Sequence, residues 1–255
     1  MRSIIRSIPV FSHYLKKFES FIAESGWPLG VKEFADYYHV PIEVSIEPET
    51  ISIIKSKGII LIGNHPHEAE PLFLMATLPE RDHIFWISNA NMQGFSLVLD
   101  PLIIPVYTNS RKSGTSSILM VNLFKHFHTN FNHLSYDEEH HRNIDSISNA
   151  ANKVLNGSLV VIYPDRKAGI GKWMDGVGYL IRQSTPSSAH VVFSYIKNTT
   201  RVDYLRVFPL VNRLLPKIKV FYAKPISTTE FTNIPPKEIT VLLKKEYDKW
   251  VETLF

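Results

Sequence analysis

Two short runs made almost entirely of apolar residues constrain the fold of this chain more than any other feature. Residues 58–63 (GIILIG) and 158–163 (SLVVIY) have the length of strands, and glycines bound the first run while an Asn-Gly pair precedes the second. Continuous apolar runs of this length are typical of parallel strands that are covered on both faces. They therefore predict buried strands in the interior of a sheet.

Segments with helical periodicity alternate with strand-like runs along the rest of the chain. Further strands are predicted at residues 83–88, 102–107, 190–196, 204–208 and 218–222. Helices are predicted at residues 68–77, 115–128, 144–155, 172–183 and 235–253. The polar stretch 133–143 (HLSYDEEHHRN) is typical of a solvated loop. Strand–helix alternation predicts an α/β fold, with a mixed, largely parallel sheet and helices on both faces.

The first 45 residues are predicted to form a helical segment that precedes the main domain, residues 46–255. Between residues 7 and 25, apolar side chains recur at spacings of three and four, as in one stripe of an amphipathic helix. The stripe consists of Ile8, Phe11, Leu15, Phe18 and Ile22. It can pack on the protein's own core. It can also lie on a membrane surface, with the flanking Arg6, Lys16 and Lys17 at headgroup level.

Composition excludes several classes of function. The chain has no cysteine, which rules out disulfides, thiolate metal sites and a cysteine nucleophile, and which fits a reducing compartment. Its net charge of +4 favours anionic partners such as lipid phosphates, and is too small and dispersed to indicate nucleic acid. Since no segment reaches the ~18 uninterrupted apolar residues of a spanning helix, we expect a cytoplasmic protein that is peripheral to the membrane.

The residues most suited to catalysis lie directly after the first apolar run, in residues 63–71 (GNHPHEAEP). Functional groups in open α/β sheets gather beyond the carboxyl ends of the strands. If a helix begins near Glu70, its carboxylate can bind one nitrogen of His65 and leave the other free to accept a proton from a hydroxyl. Because no Gly-x-Ser-x-Gly elbow follows, the predicted nucleophile is the substrate's own hydroxyl. The alternative is a histidine that only caps or packs at a helix start.

This segment resembles the first block of the glycerolipid acyltransferase family, which includes the 1-acylglycerol-3-phosphate acyltransferases and has the signature Asn-His-x4-Asp. Here Asn64 and His65 are followed by four residues and then Glu70, in place of the usual Asp. Later stretches resemble further family blocks in the same order. They are residues 103–106 (IIPV), 160–165 (VVIYPD), 172–180 (KWMDGVGYL) and 220–226 (VFYAKPI). Two blocks depart from the family pattern, because the second lacks its terminal Arg in register and the third has Arg166 and Ala168 for its Gly and Arg.

The resemblance implies a glycerol-3-phosphate acyltransferase-like fold and an enzyme that transfers a fatty acyl group. The donor would be acyl-CoA or acyl carrier protein, and the acceptor a hydroxyl of a glycerolipid or lysophospholipid at a membrane surface, with no cofactor and no metal. The catalytic residues would be His65 and Glu70, within a catalytic domain of residues 46–255. The substrate-binding residues would be Asn64, Arg111, Lys112, Tyr163, Pro164, Asp165, Arg166 and Lys167.

Two other classes remain open from the sequence. The pair His65-x-His67 can present both rings to a metal, as in a metal-dependent hydrolase, with further ligands from His133, His140 and His141. The His-x-His-x-Asp-His pattern of metallo-β-lactamases is not matched, because Ala69 and Glu70 occupy its last two positions. The altered third block also allows a catalytically silent, lipid-binding relative.

Overall fold

The computed structural model describes residues 9–67, 69–94, 96, 98–107, 134–165 and 171–255. The described strands form one sheet of eight, in the order β1-β7-β6-β2-β5-β3-β4, with β8 paired to β6. The strands are β1 Ile42–Ser45, β2 Ile59–Gly63, β3 Ile84–Asn89, β4 Ile103–Val106, β5 Leu159–Ile162, β6 His190–Lys197, β7 Ile218–Tyr222 and β8 Ile226–Ser227.

The helices cover this sheet and are numbered in chain order. They are α1 Pro9–Ser25, α2 Leu29–Tyr37, α3 Pro48–Ser56, α4 Glu70–Thr77, α5 Tyr136–Leu155, α6 Gly176–Ser184, α7 Pro209–Leu214 and α8 Pro236–Glu252. Short 3-10 helices lie at Ala90–Met92, Asp100–Leu102, Asp203–Val207 and Thr228–Phe231. The helix predicted at residues 115–128 lies outside the described residues.

The sheet is mixed and largely parallel, which confirms the predicted fold class. Strand β2 lies between β5 and β6 and is parallel to both. Strand β3 is parallel to β5 and β4, and β1 is parallel to β7. Only β7 and β8 run antiparallel to β6 among the described pairs. The two runs that predicted a buried interior, β2 and β5, are adjacent and fully buried.

Helices cover both faces of the sheet, as predicted. On β2, Ile59 and Leu61 join the core on the face covered by α1 to α4, whereas Ile60 and Ile62 join the core under α5, α6 and α8. Successive side chains of a strand point to opposite faces. A strand buried on both sides therefore has to be apolar at every position, which explains the uninterrupted run.

The apolar stripe of helix α1, as far as the structure describes it, packs on the protein's own core. Leu15, Phe18 and Ile22 are all buried, and the last two belong to the same core as α2 and α4. Ile8 and the side chain of Phe11 lie outside the described residues. Of the two alternatives for the stripe, core packing accounts for these three residues. Among the residues that the structure describes, no helix combines the length and apolar composition needed to cross a bilayer.

The solvated loop predicted at residues 133–143 is wrong for its described part, because helix α5 begins at Tyr136. Ser135 and Glu138 form a capping box: the Ser135 hydroxyl accepts from the Glu138 N–H at 3.2 Å, and the Glu138 carboxylate accepts from the Ser135 N–H at 2.8 Å. Three acidic residues in the first turn also favour a helix start. The exposed polar composition that indicated a loop belongs to the solvent-facing first turns of the helix.

The strand predicted at residues 204–208 is also wrong, since Asp203–Val207 is a 3-10 helix. Its Asp203 and Arg206 are buried and paired, with Arg206 Nε donating to Asp203 Oδ1 at 2.9 Å. The segment 204–208 is apolar apart from Arg206, and the pairing of Arg206 with Asp203 allows this charged side chain to be buried in a 3-10 helix. Helix α2 falls within the helical segment predicted for the first 45 residues, whereas the strands β1 and β8 and the helices α3 and α7 were not predicted.

Candidate active site

Three neighbouring strands deliver polar side chains to one edge of the sheet. Strands β6, β2 and β5 are adjacent and parallel, so their carboxyl ends lie side by side. Tyr163 follows β5, His65 follows β2 and Thr199 follows β6. This carboxyl edge is where open α/β sheets place their functional groups, and it brings together residues that are far apart in the chain.

Asn64 fixes the start of the loop that carries His65. Its Nδ2 donates to the Ile196 carbonyl at 2.9 Å, and its Oδ1 accepts from the Ile196 N–H at 2.7 Å. Both functional groups of the amide are therefore used by the backbone of β6. This ties the end of β2 to its neighbour and sets the direction in which the chain leaves the sheet. The predicted substrate-binding role of Asn64 stays a prediction.

His65 and Glu70 form a pair in the geometry that a general base and its orienting carboxylate require. His65 Nδ1 lies 3.2 Å from Glu70 Oε2. The Glu70 side chain is fully buried, whereas that of His65 is 37% exposed. Glu70 is the first residue of α4, where the helix dipole favours a negative charge. The contact uses Nδ1, so Nε2 is the nitrogen left for a proton transfer.

Three groups hold the Glu70 carboxylate in place. Besides His65, the His67 N–H donates to Oε1 at 3.1 Å, and the Thr199 hydroxyl also hydrogen-bonds the carboxylate. Burial by itself raises the pKa of Glu70. The hydrogen bonds from His65, the backbone and Thr199, together with the imidazole charge, outweigh burial and hold the pKa of this carboxyl below its ordinary range. Glu70 is therefore ionised at neutral pH.

Tyr163 lies against the His65 ring. The two ring centroids are 5.1 Å apart, with the ring planes inclined by 33°. Its phenol oxygen is buried and has no hydrogen-bond partner within the described parts of the chain. Burial raises the pKa of Tyr163 well above its ordinary value, and the Glu70 charge adds to this, so the phenol stays protonated. A side chain at Gly63 would meet the Tyr163 ring at 2.9 Å, so glycine is required for this close packing.

Thr199 is the site residue that sequence reasoning missed. It follows Asn198, which has a left-handed backbone (φ 66°) that asparagine tolerates better than most residues. The Asn198 side chain donates to the Lys217 carbonyl at 3.0 Å. This turn brings Thr199 back from the end of β6 to Glu70. No motif marks a single threonine in a connection, so the contact becomes visible only when β6 is placed beside β2.

A buried polar cluster fixes the segment after Thr199. Asp203 accepts from the Thr200 N–H at 2.6 Å and from Arg206 Nε at 2.9 Å. Arg206 also donates to the Pro216 carbonyl at 2.8 Å. The neighbouring Asn212 donates to the His39 carbonyl at 2.8 Å, just after α2. The cluster therefore joins the β6–β7 connection to the N-terminal helices and holds the backbone next to Thr199.

The other predicted substrate-binding residues are only partly described. The Pro164 carbonyl accepts from the Met174 N–H at 2.8 Å, and Asp165 pairs with Trp173 in an isolated β-bridge. These contacts hold residues 163–165 beside the start of α6, at the same edge as His65. The predicted basic residues Arg111, Lys112, Arg166 and Lys167 lie outside the described residues, and their roles stay predictions.

A metal centre was the main alternative for the histidines. Within residues 9–67, 69–94, 96, 98–107, 134–165 and 171–255, no three His, Asp or Glu side chains come together closely enough to hold a metal ion. His140 and His141 are exposed in the first turns of α5. His133, like Glu68, lies outside the described residues.

Comparisons with solved structures show a likeness in structure. No family model matches the chain, and no curated protein matches it. Among solved structures, it is similar to the 1-acyl-sn-glycerophosphate (LPA) acyltransferase PlsC from Thermotoga maritima, with 14% sequence identity and a TM-score of 0.48. The match covers 94% of this chain and 79% of that chain. An identity this low transfers no residue roles to this chain.

The lowered pKa of Glu70 predicts how stability depends on pH. In the unfolded chain this carboxyl titrates near about 4.3, whereas in the folded protein it takes up its proton only at lower pH. The stabilisation that the ionised Glu70 gives to the folded protein is therefore fully present above the unfolded pKa, and it is lost as the pH falls through the folded pKa. We expect Glu70→Gln to lower the free energy of unfolding at pH 7 by about 1.5–3 kcal/mol. Urea unfolding of both proteins measures this difference, which should shrink below about pH 4; a difference independent of pH would contradict the assignment.

Proposed function

We propose that this chain is an acyltransferase that moves a fatty acyl group from a thioester carrier to a hydroxyl of a glycerolipid or lysophospholipid-type acceptor. The observation that carries the proposal is the 3.2 Å contact between the half-exposed His65 and the buried, ionised Glu70. The resemblance of residues 64–70 to the acyltransferase signature gives this pair its chemical context. The carrier is coenzyme A or acyl carrier protein, and no cofactor is required.

The proposed reaction is a direct transfer without an acyl-enzyme. The acceptor O–H gives its proton to His65 Nε2 while its oxygen forms a bond to the thioester carbonyl carbon. The tetrahedral intermediate collapses by breaking the C–S bond, and the imidazolium returns the proton to the leaving thiolate. Glu70 favours this cycle because a fixed, buried carboxylate orients the ring and stabilises the imidazolium that forms.

The acceptor places the reaction at a membrane surface, and we propose a peripheral protein on the cytoplasmic side. A phosphate on the acceptor calls for cationic side chains close to His65. Arg111, Lys112, Arg166 and Lys167 are the proposed contacts, since arginine and lysine bind phosphate oxygens by charge-assisted hydrogen bonds. Tyr163, Pro164 and Asp165 are proposed to line the acceptor side of the site, because they lie beside His65 at the carboxyl edge.

The proposal is tested by thiol release from long-chain acyl-CoA or acyl carrier protein. Lysophosphatidate and a mixed panel of lysolipids serve as acceptors, with a metal chelator in a parallel set. We expect release that depends on the acceptor and is unchanged by the chelator. Lipid binding without turnover on any donor or acceptor would instead indicate a silent relative. Turnover that the chelator abolishes would indicate metal-dependent chemistry.

Thr199 is expected to act through Glu70 as a positioning residue. Thr199→Val keeps the shape of the side chain and removes the hydroxyl that donates to the carboxylate. Loss of one such bond should lower kcat by about two- to tenfold and leave KM little changed. It should also raise the Glu70 pKa, so that the stabilisation from this carboxylate is lost at a higher pH in acid unfolding. Thr199→Ser restores the donor and should restore both kcat and the acid-unfolding midpoint; a Val variant with the wild-type values of both would remove Thr199 from the site.

A further inference from the structure

Helix α7 exposes two leucines that the rest of the described structure does not cover. Leu210 is 76% exposed and Leu214 is 86% exposed. They are four positions apart and therefore lie on the same side of the helix. Two large apolar side chains together on one exposed face indicate a contact surface, unlike the single exposed leucines that are common on any protein.

The charge around α7 is positive. Arg213 lies between the two leucines in the chain and is exposed. Within residues 198–217 the basic residues are Arg201, Arg206, Arg213 and Lys217, and the acid is Asp203. That acid and Arg206 are buried against each other, so neither adds to the surface charge, and Lys217 pairs with Glu43 at 3.2 Å. The exposed charge on α7 itself is that of Arg213. The surface therefore combines apolar side chains with basic ones, as in interfacial helices that bind anionic lipids.

The position of α7 relates this surface to the candidate active site. The connection 198–217 leaves the sheet at the carboxyl end of β6 and enters β7, which is antiparallel, at the same edge. Its Thr199 touches Glu70. At Phe208, directly before α7, the connection packs on Tyr14 of α1, with ring centroids 5.5 Å apart. The exposed leucines thus belong to the connection that completes the site.

We propose that α7 is a membrane contact, with Leu210 and Leu214 inserted among the acyl chains of an anionic phospholipid bilayer and Arg213 at the phosphates. The membrane contact rests on the proposed function in one respect. With α7 on the bilayer, the sheet edge that carries His65 lies close to the membrane surface, where a lipid acceptor resides. A second copy of the chain is the less favoured occupant. Two leucines on a six-residue helix present much less area than a stable protein interface buries.

Vesicle sedimentation tests the surface without any need for turnover. The probes are vesicles of phosphatidylcholine alone and of phosphatidylcholine with phosphatidylglycerol. We expect Leu210→Ser/Leu214→Ser to lower partitioning onto the mixed vesicles by about tenfold or more, because two buried leucines are lost from the interface. The matched control is Val241→Ser/Leu242→Ser on α8, where two neighbouring apolar residues are also exposed, and its partitioning should equal that of the wild type.

The variant Arg213→Gln measures the electrostatic contribution to vesicle binding separately from the apolar contribution. It should weaken binding to the mixed vesicles by about fivefold and leave binding to pure phosphatidylcholine unchanged. Equal binding of the Leu210→Ser/Leu214→Ser protein and the wild type would overturn the proposal. So would a wild-type dimer in solution that this variant converts to a monomer.

A failure of the proposed function is distinguishable from a failure of this surface. Under both proposals, the double variant turns over a water-soluble, short-chain acceptor at the wild-type rate and loses activity only on acceptors held in vesicles. Loss of vesicle binding in a protein that turns over no acceptor would leave the surface standing and contradict the acyltransferase assignment.

Discussion

Replacing His65 with alanine is expected to reduce acceptor-dependent thiol release by about 10²- to 10⁴-fold, the usual contribution of a general base. Its Nδ1 is held by Glu70 at 3.2 Å, so its Nε2 is the proton acceptor in the proposed reaction. The free energy of unfolding should fall by only about 1–3 kcal/mol, because the buried Glu70 carboxylate loses one of its hydrogen-bond partners. Initial rates at saturating donor, measured beside urea unfolding, separate the two effects.

The matched control is His67→Ala in the same loop. His67 holds Glu70 through its backbone N–H, which alanine retains. We therefore expect the His67→Ala protein to keep most of the wild-type rate. If both single variants lose activity to the same extent, the two histidines act together, as metal ligands do, and the general-base account fails.

The second large effect concerns stability and arises from the buried pair of Asp203 and Arg206. Asp203→Ala removes one partner and leaves the Arg206 guanidinium, which is 1% exposed, without its anion. Breaking a buried pair in this way costs about 3–5 kcal/mol, because the remaining charge is desolvated and uncompensated. It also removes the acceptor of the Thr200 N–H, next to the threonine that holds Glu70. Urea unfolding should therefore show a large loss of stability, accompanied by a lower kcat.

An exposed pair in the same chain provides the comparison. On α8, Lys244 Nζ donates to Asp248 Oδ1 at 2.6 Å, and the Asp248 side chain is 53% exposed. Asp248→Ala should cost only about 0.3–0.5 kcal/mol, since an i,i+4 pair at the surface is screened by solvent. Replacing both members of the buried pair, as Asp203→Leu/Arg206→Met, should recover part of the loss from Asp203→Ala. Equal losses for Asp203→Ala and Asp248→Ala would show that the buried cluster is not a major source of stability.

The centre of the fold was predictable from the sequence, because a strand that is buried on both faces needs apolar residues at every position. Strands β2 and β5 are apolar at every position for this reason, and the helices beside them follow the period of 3.6 residues. The contact between His65 and Glu70 was also predictable, because it is local. A strand end, a short turn and a helix start bring residues five positions apart into contact.

The features that were not predicted depend on contacts between distant segments of the chain, on a buried charged side chain, or on a helix start that is exposed and charged. Thr199 reaches Glu70 only because β6 and β2 are neighbours, which periodicity does not reveal. Arg206 lies within the segment predicted as a strand, and its burial against Asp203 was not predicted, since buried arginines are rare. The start of α5 carried a recognisable signal, the Ser135-x-x-Glu138 capping box, and was missed because its first turns are solvent-exposed and charged.

The stripe of α1 shows a further limit of pattern reading. Amphipathic spacing predicts a helix with one apolar side, but it does not distinguish a protein core from a bilayer as the partner of that side. In the structure, Leu15, Phe18 and Ile22 pack on the core. The exposed leucines occur instead on α7, whose six residues are too few to show periodicity in the sequence.

The most direct test of the central claim is the stoichiometry of the reaction. Free thiol and acylated acceptor would be quantified together, the thiol by absorbance and the lipid by mass spectrometry, for the wild type and His65→Ala. The proposed direct transfer predicts that the two products appear one for one, only when acceptor is present, and that both disappear in the variant. Thiol released without acylated acceptor, or equal amounts of acylated acceptor from the wild type and His65→Ala, would contradict an acyltransferase in which His65 is the base.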